Sequence, residues 1–259
     1  MNILETILAT KKNEVAKAKK VLPMEEIRAL AQEVKRPKLS MRTALENSPT
    51  GIIAEFKRKS PSKGFIKQGA NAVEIAGGYA HNGAAGISVL TDGEYFGGSI
   101  KDLIAARAVA SVPLLRKDFV IDPYQICQAR IAGADCILLI AAALDPETTA
   151  KLAEFAHTLN LEVLLEVHNR EELAHFNDAV DIVGVNNRNL ATFATDVAVS
   201  EELAAYIPGS AVKISESGIS SSDTVRALRE KGFRGFLMGE NFMKEADPAA
   251  ALATFISQL

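Results

Sequence analysis

The stretch Ile52–Gly64, IIAEFKRKSPSKG, opens as a buried strand and closes as a cluster of cations around Ser-Pro-Ser. Side chains alternate along a strand, so Ile53, Glu55 and Lys57 share one face while Ala54 and Phe56 take the other. An apolar run that drives into Lys57, Arg58, Lys59 and Lys63 has three readings. It is a solvated charge run, an arm for nucleic acid, or a strand that delivers charged side chains to an anionic ligand. The sequence on either side decides between them.

Moving outward, short runs rich in Ile, Val and Leu recur at 51–56, 86–91, 112–119, 135–141, 161–167, 181–187, 211–217 and 235–241. Helical patterns fill the intervals at 72–84, 99–110, 123–134, 145–160 and 221–232. Strand alternating with helix at intervals of roughly 20–35 residues defines βαβ units and a parallel sheet. Eight such units predict an α/β protein of the closed (β/α)8 TIM-barrel class, whose usual length is about 250 residues. The chain has 259. No G-x-G-x-x-G follows the first strand, which argues against a dinucleotide-binding sheet. The expectation is a single barrel domain over 1–259, with residues 1–50 as a helical extension before the first strand.

A barrel gives the opening stretch a geometry. If Phe56 faces the surrounding helices, Glu55 and Lys57 point to the axis at the C-terminal rim, where barrel enzymes keep their chemistry. The third strand ends in Lys117-Asp118, the fifth in Glu166, the sixth in Asn186-Asn187-Arg188 and the seventh in Glu216-Ser217-Gly218. By alternation, Ile182, Gly184 and Asn186 share a face, as do Val212, Ile214 and Glu216. One charged strand end is where a chain leaves for water. Several converging on one rim must each meet a partner or a ligand to offset desolvation.

Glycines follow the last two strands, in Ser217-Gly218-Ile219-Ser220 and Gly239-Glu240-Asn241. Barrels bind phosphate with backbone N–H groups of these two loops. Lys57, Ser60 and Arg188 are the candidate side-chain donors to the same anion. Arg58, Lys59 and Lys63 fall in the loop, where solvent exposure is the default. The connection from Lys59 to Asn71 is long and carries Gly64 and Gly69, the pattern of a lid.

Other classes are disfavoured. The net charge of −3 is wrong for a protein whose main ligand is nucleic acid. Cys127 and Cys136 make no CxxC and no disulfide framework, which fits a reducing cytoplasm. His81, His157, His168 and His175 show no metal spacing and are read as structural or surface residues. The N-terminal segment reads as an amphipathic helix, not a signal peptide. No apolar run approaches the roughly 18 residues of a membrane span.

IIAEFKRKSPSKG, SVLTDGEYFGGS, LLRKDFVIDPYQI, ADCILLIAAAL, LEVLLEVH, GVNNRNL, SESGI and MGENFM together resemble the indole-3-glycerol phosphate synthase family over nearly the whole chain. The resemblance implies conversion of 1-(2-carboxyphenylamino)-1-deoxyribulose 5-phosphate to indole-3-glycerol phosphate, without metal or cofactor. It implies Lys117 as the acid on the ketone oxygen, Lys57 as counter-ion to the carboxylate and proton carrier, and Glu166 as an acid/base. Glu55, Asn186 and Glu216 match residues that hold the lysines and the substrate hydroxyls. Which lysine or glutamate acts in the dehydration stays open.

By the same match, the backbone N–H groups of Gly218, Gly239 and Glu240 hold the phosphate with Lys57, Ser60 and Arg188, and Ser217 is a further substrate-binding residue. Phe96 and Phe119 form the aromatic slot with Leu138 and Ile140, the last two being equally ordinary core. Gly93, Gly97-Gly98 and Asn241 depart slightly from the family pattern. The chain stops after its eighth helix, so no fused isomerase domain is expected. The implied partner is a small phosphorylated molecule, with no nucleic acid and no membrane, for a cytoplasmic monomer or weak oligomer. The alternatives are another phosphate-binding barrel, such as phosphoribosylanthranilate isomerase, or a nucleic-acid module built on KRKSPSK. The first needs a Cys and an Asp at strand ends, and Cys127 and Cys136 lie elsewhere.

Overall fold

The computed structural model describes residues 2–190 and 192–259. Eight parallel strands close on themselves: β1 (Ile52–Phe56), β2 (Gly86–Leu90), β3 (Leu114–Lys117), β4 (Cys136–Ile140), β5 (Glu162–Val167), β6 (Ile182–Asn186), β7 (Val212–Glu216) and β8 (Gly235–Met238). Each pairs with the next in sequence, and β1 closes the ring by pairing β8 at Ile53↔Leu237 and β2 at Ala54↔Ile87. The eight-unit reading therefore holds, and the fold is a (β/α)8 barrel.

Alternation sorts the side chains as the sequence implied. Ile53, Leu115, Leu138, Leu164, Ile182, Ile214 and Leu237 pack together inside the ring. Ile52, Ala54, Phe56, Ile87 and Val89 belong to the larger core between ring and helices. A strand buried on both faces reads as a continuous apolar run, as these runs do.

Three helices precede β1: α1 (Ile3–Val21), α2 (Met24–Glu33) and α3 (Met41–Asn47). Helix α1 begins at a capping box, in which Asn2 and Glu5 satisfy each other's backbone N–H groups. Helix α3 closes the bottom of the ring, with Met41 and Leu45 packed into the interior cluster. Between strands, α4 (Ala72–His81), α5 (Ile100–Val109), α6 (Pro123–Ala132) and α7 (Pro146–Thr158) follow β1 to β4. Only a 3-10 turn, Glu171–His175, follows β5. Six-residue α8 (Ala198–Leu203) follows β6, α9 (Ser222–Glu230) follows β7, and α10 (Glu240–Met243) and α11 (Pro248–Ile256) follow β8.

The long connection after β1 is not a bare loop. Lys59–Ser60 and Gly64–Phe65 form a two-residue antiparallel ribbon. Arg58 ties its base down with two bonds to Asp102 at 2.6 and 2.8 Å, and its guanidinium stacks 4.8 Å from the Phe56 ring. Among the described residues, no helix is long and apolar enough to cross a membrane.

Candidate active site

The odd strands contribute alternate side chains to one layer of a barrel interior. Here that set is Glu55 from β1, Lys117 from β3, Glu166 from β5 and Glu216 from β7. All three carboxylates are buried. Lys117 Nζ lies 2.9 Å from Glu166 Oε2 and 3.4 Å from Glu216 Oε2. Lys57, one step beyond β1, sits 2.5 Å from Glu55 Oε1.

Two carboxylates around one ammonium titrate apart. Burial opposes the charge on Lys117, but Glu166, Glu216 and Glu55 outweigh it and raise the ammonium above the usual lysine range. Burial also opposes ionisation of Glu166, yet Lys117 and then His168 pull it down to about 2. Glu216 goes up to about 7, because burial and the repulsion of Glu166 and Glu55 exceed the pull of Lys117. The same surroundings thus push the two acids in opposite directions, Glu166 toward the anion and Glu216 toward the protonated form.

Glycines make room for these groups. A Cβ on Gly184 would collide with Glu216 Oε1. One on Gly239 would lie 2.6 Å from Glu55 Oε1 and 2.9 Å from Glu55 Cβ, so this glycine serves the carboxylate layer as well as the loop beyond it. Ser217 and Gly218 are both left-handed, at φ 66° and 75°, which turns the chain sharply over the barrel end. Asn187 Nδ2 donates to the Ser217 carbonyl at 3.0 Å and fixes that turn.

A cavity of about 560 Å³ opens above this layer, and every candidate named from the sequence lines it: Glu55, Lys57, Ser60, Phe96, Lys117, Phe119, Glu166, Asn186, Arg188, Glu216, Ser217, Gly218, Gly239 and Glu240. The Phe96 and Phe119 rings lie 6.0 Å apart on one wall, with Leu138 and Ile140 below. Also on the cavity wall, Lys63 pairs with Glu240 at 2.5 Å. Lys57 and Arg188 add positive charge that helps hold Glu240 ionised, and Arg188 Nη1 reaches Ser62 Oγ at 3.5 Å.

One reading changes, and two neighbours of site residues find other partners. Lys63 belongs to the cavity wall rather than to a purely solvated loop, because the ribbon folds it back over β8. Asp118 borders the cavity, but its carboxylate is engaged away from Lys117. Its carboxylate takes Thr91 Oγ1 at 2.5 Å, Arg116 at 3.1 Å and Lys11 at 3.2 Å. Asn187 likewise turns into the core, where it meets Ser200 and Ser215. Adjacent residues on a strand point to opposite sides, so one of each pair was bound to miss the rim.

Some residues escaped the sequence reading. Ile3, Leu4 and Ile7 of α1 line the cavity mouth. Their helical spacing was visible, but not their destination. Helix α1 is fastened there by buried Lys11, 2.8 Å from Asp92 and 3.2 Å from Asp118. Leu190, Phe193 and Thr195, from the loop after β6, complete the wall. Among the described residues, no group of three or more His, Cys, Asp and Glu side chains is arranged to hold a metal ion.

The chain is a (β/α)8 barrel that gathers lysines and carboxylates in a cavity at one end of the ring, the place where enzymes of this class keep their active sites. The family model described as indole-3-glycerol phosphate synthase matches residues 4–255. The chain is 51% identical to the indole-3-glycerol phosphate synthase of Bacteroides thetaiotaomicron, over 100% of this chain and 99% of that one. It is 46% identical to the protein of that name from Laribacter hongkongensis, over 97% and 98%. The corresponding Rhodospirillum rubrum protein is 42% identical, over 98% and 99%. The solved structure of KGPDC from Streptococcus mutans superposes with a TM-score of 0.60 at 14% identity, covering 80% of this chain and 95% of that one, and shares the fold. This chain belongs to the indole-3-glycerol phosphate synthase family.

Proposed function

We propose that this chain closes the indole ring in tryptophan biosynthesis, acting as a carbon–carbon lyase on 1-(2-carboxyphenylamino)-1-deoxyribulose 5-phosphate. It works in the cytoplasm as a monomer or weak oligomer. The observation that carries the reading is Lys117, held between Glu166 and Glu216 on the floor of a cavity with aromatic rings on one side and glycine turns at its end.

The ring carbon that bears the carboxylate attacks the ketone carbon. Lys117 donates its proton to the ketone oxygen, so charge does not build up on it. The carbon–carboxylate bonding pair then restores the aromatic ring as CO2 leaves. Lys57 is counter-ion to the carboxylate before that step. Dehydration removes one proton from carbon and hydroxide as water. Lys57 with Glu55, and Lys117 with Glu166, are two acid–base pairs suited to it, while Asn186 and Glu216 orient the hydroxyls. Backbone N–H groups around Ser217, Gly218, Gly239 and Glu240, with Ser60 and Arg188, bind the phosphate, and Phe96 and Phe119 hold the carboxyphenyl ring. Cys127 and Cys136 do not line the cavity, and burial pushes the Cys127 thiol up to about 11, which disfavours a thiol acid/base of the isomerase kind.

The test is direct. Purified protein mixed with the carboxyphenylamino-deoxyribulose phosphate is expected to yield indole fluorescence and one CO2 per product. Consumption of substrate without either would remove the assignment.

A further inference from the structure

His168 follows β5, two residues beyond Glu166 and therefore on the same side of the chain. Its backbone N–H donates to Glu172 Oε2 at 2.7 Å, and its Nδ1 lies 3.1 Å from that same oxygen. An ionised carboxylate only accepts, so Nδ1 carries a hydrogen. Glu172 is itself held in place, since Asn169 Nδ2 donates to its other oxygen at 3.0 Å. The other ring nitrogen, Nε2, is buried and makes no completed hydrogen bond among the described residues. It faces Glu166 Oε1 at 3.5 Å.

This leaves two consistent arrangements. With the ring neutral, the Nε2 lone pair points at Glu166, which is tolerable only if Glu166 carries a proton and donates it. With the ring protonated, Nε2–H faces a carboxylate. Either way His168 and Glu166 hold one proton between them, as catalytic histidine–carboxylate pairs do. The gap is longer than a made hydrogen bond, a common state for such contacts before substrate arrives.

We infer that His168, oriented by Glu172, is a positioning residue that shares one proton with Glu166 and so restores that carboxylate during turnover. The inference rests on the proposed acid/base role of Glu166. When the shared proton lies on Glu166, it passes from Oε1 to Nε2, leaving a carboxylate beside Lys117 and an imidazolium beside Glu172. The reverse transfer returns it, so the pair gains and loses nothing over a cycle. The charged groups facing the ring are Glu166 on its own strand, Glu172 in the turn after it and Glu216 from β7. Lys117 stands on the far oxygen of Glu166.

Two substitutions separate this from simple support. His168→Gln can keep a donor near the Nε2 position but cannot exchange a proton. His168→Asn keeps only the Glu172 side. Both are expected to fold, to lower kcat about ten-fold with KM nearly unchanged, and to move the acid limb of kcat upward, since a cation that depresses Glu166 is gone. Full recovery of kcat and of the limb in His168→Gln would reduce His168 to a structural prop and overturn the inference. So would wild-type behaviour in both variants.

A second measurement does not depend on activity. Imidazole ¹⁵N NMR of the whole protein is expected to show the Nδ1–H form and a His168 titration that falls in Glu166→Gln and again in Glu172→Gln. Indifference to Glu166→Gln would overturn the inference even in a fully active enzyme. Absence of turnover in the wild type, with the titration as expected, would instead count against the proposed reaction alone.

Discussion

The two ends of the barrel bury carboxylates in opposite ways. At the bottom, Asp135 is fully buried and accepts from Arg36 at 2.7 Å, Arg107 at 2.9 Å, and the backbone N–H groups of Leu39 and Leu114 at 3.1 and 3.0 Å. Glu162 nearby takes the Ser40 hydroxyl at 2.6 Å, the Arg42 N–H at 3.0 Å and Lys38 at 3.4 Å. At the top, Glu216 shares one lysine with Glu166 across 3.4 Å, and its Oε1 has no hydrogen-bond partner among the described residues. Saturated acids fasten the segment between α2 and α3, the start of α3, helix α5 and the strand starts together. The unsaturated layer stores unmet hydrogen-bonding capacity beside a cavity, where a substrate can use it.

That contrast is open to attack by mutation. Lys117→Met is expected to give the largest change, a loss of turnover on the order of 10²–10⁴-fold or more with the fold retained. Its thermal melt should move little, because Glu166 and Glu216 border the cavity and can take up protons. A normal kcat in this variant would end the reading of Lys117 as the acid. Asp135→Ala should reverse the pattern. It strands Arg36 and Arg107 half-buried and is expected to cost about 3–5 kcal/mol in urea unfolding, while kcat per folded molecule stays near wild type.

Gly184→Ala sits between the two. The added methyl displaces Glu216 from Lys117, so a stability cost of about 1–3 kcal/mol should accompany a fall in kcat. A stability cost with unchanged kcat would mean that Glu216 need not stand where it does.

The mildest test is Glu216→Gln. A carboxyl whose folded pKa is raised contributes stability below its unfolded value, and that contribution is lost as pH rises through the folded one. For Glu216 the window runs from the ordinary 4.5 to about 7. Wild type should therefore lose stability relative to Glu216→Gln across that interval, with the difference flat above it. Glu166, held down to about 2, has the opposite sign and adds stability that disappears only as pH falls toward that value. Parallel curves for variant and wild type from pH 4 to 8 would contradict the raised carboxyl.

Much of this was legible in the chain. Two-residue alternation at Ile53, Glu55 and Lys57 is a property of any strand, and eight repeats of strand and helix leave few ways to close a sheet. Inward polar residues then had to gather at one rim. Alternation also explains why the side chains of Asp118 and Asn187 find partners elsewhere, since their neighbours Lys117 and Asn186 took the inward direction. His168 was passed over because a lone histidine has no spacing signal. Its meaning comes from Glu172, four residues on, turning back to grip it.

By itself the sequence determined the barrel, the inward set of charged strand ends and the glycine turns beside them, since local periodicity and steric freedom are written residue by residue. Tertiary structure alone decided that α1 lies over the mouth through Lys11, that Lys63 crosses to Glu240, and that Glu166 and Glu216 divide one ammonium unequally. Those are matters of distance and burial between groups far apart in the chain, and electrostatic energy depends on both.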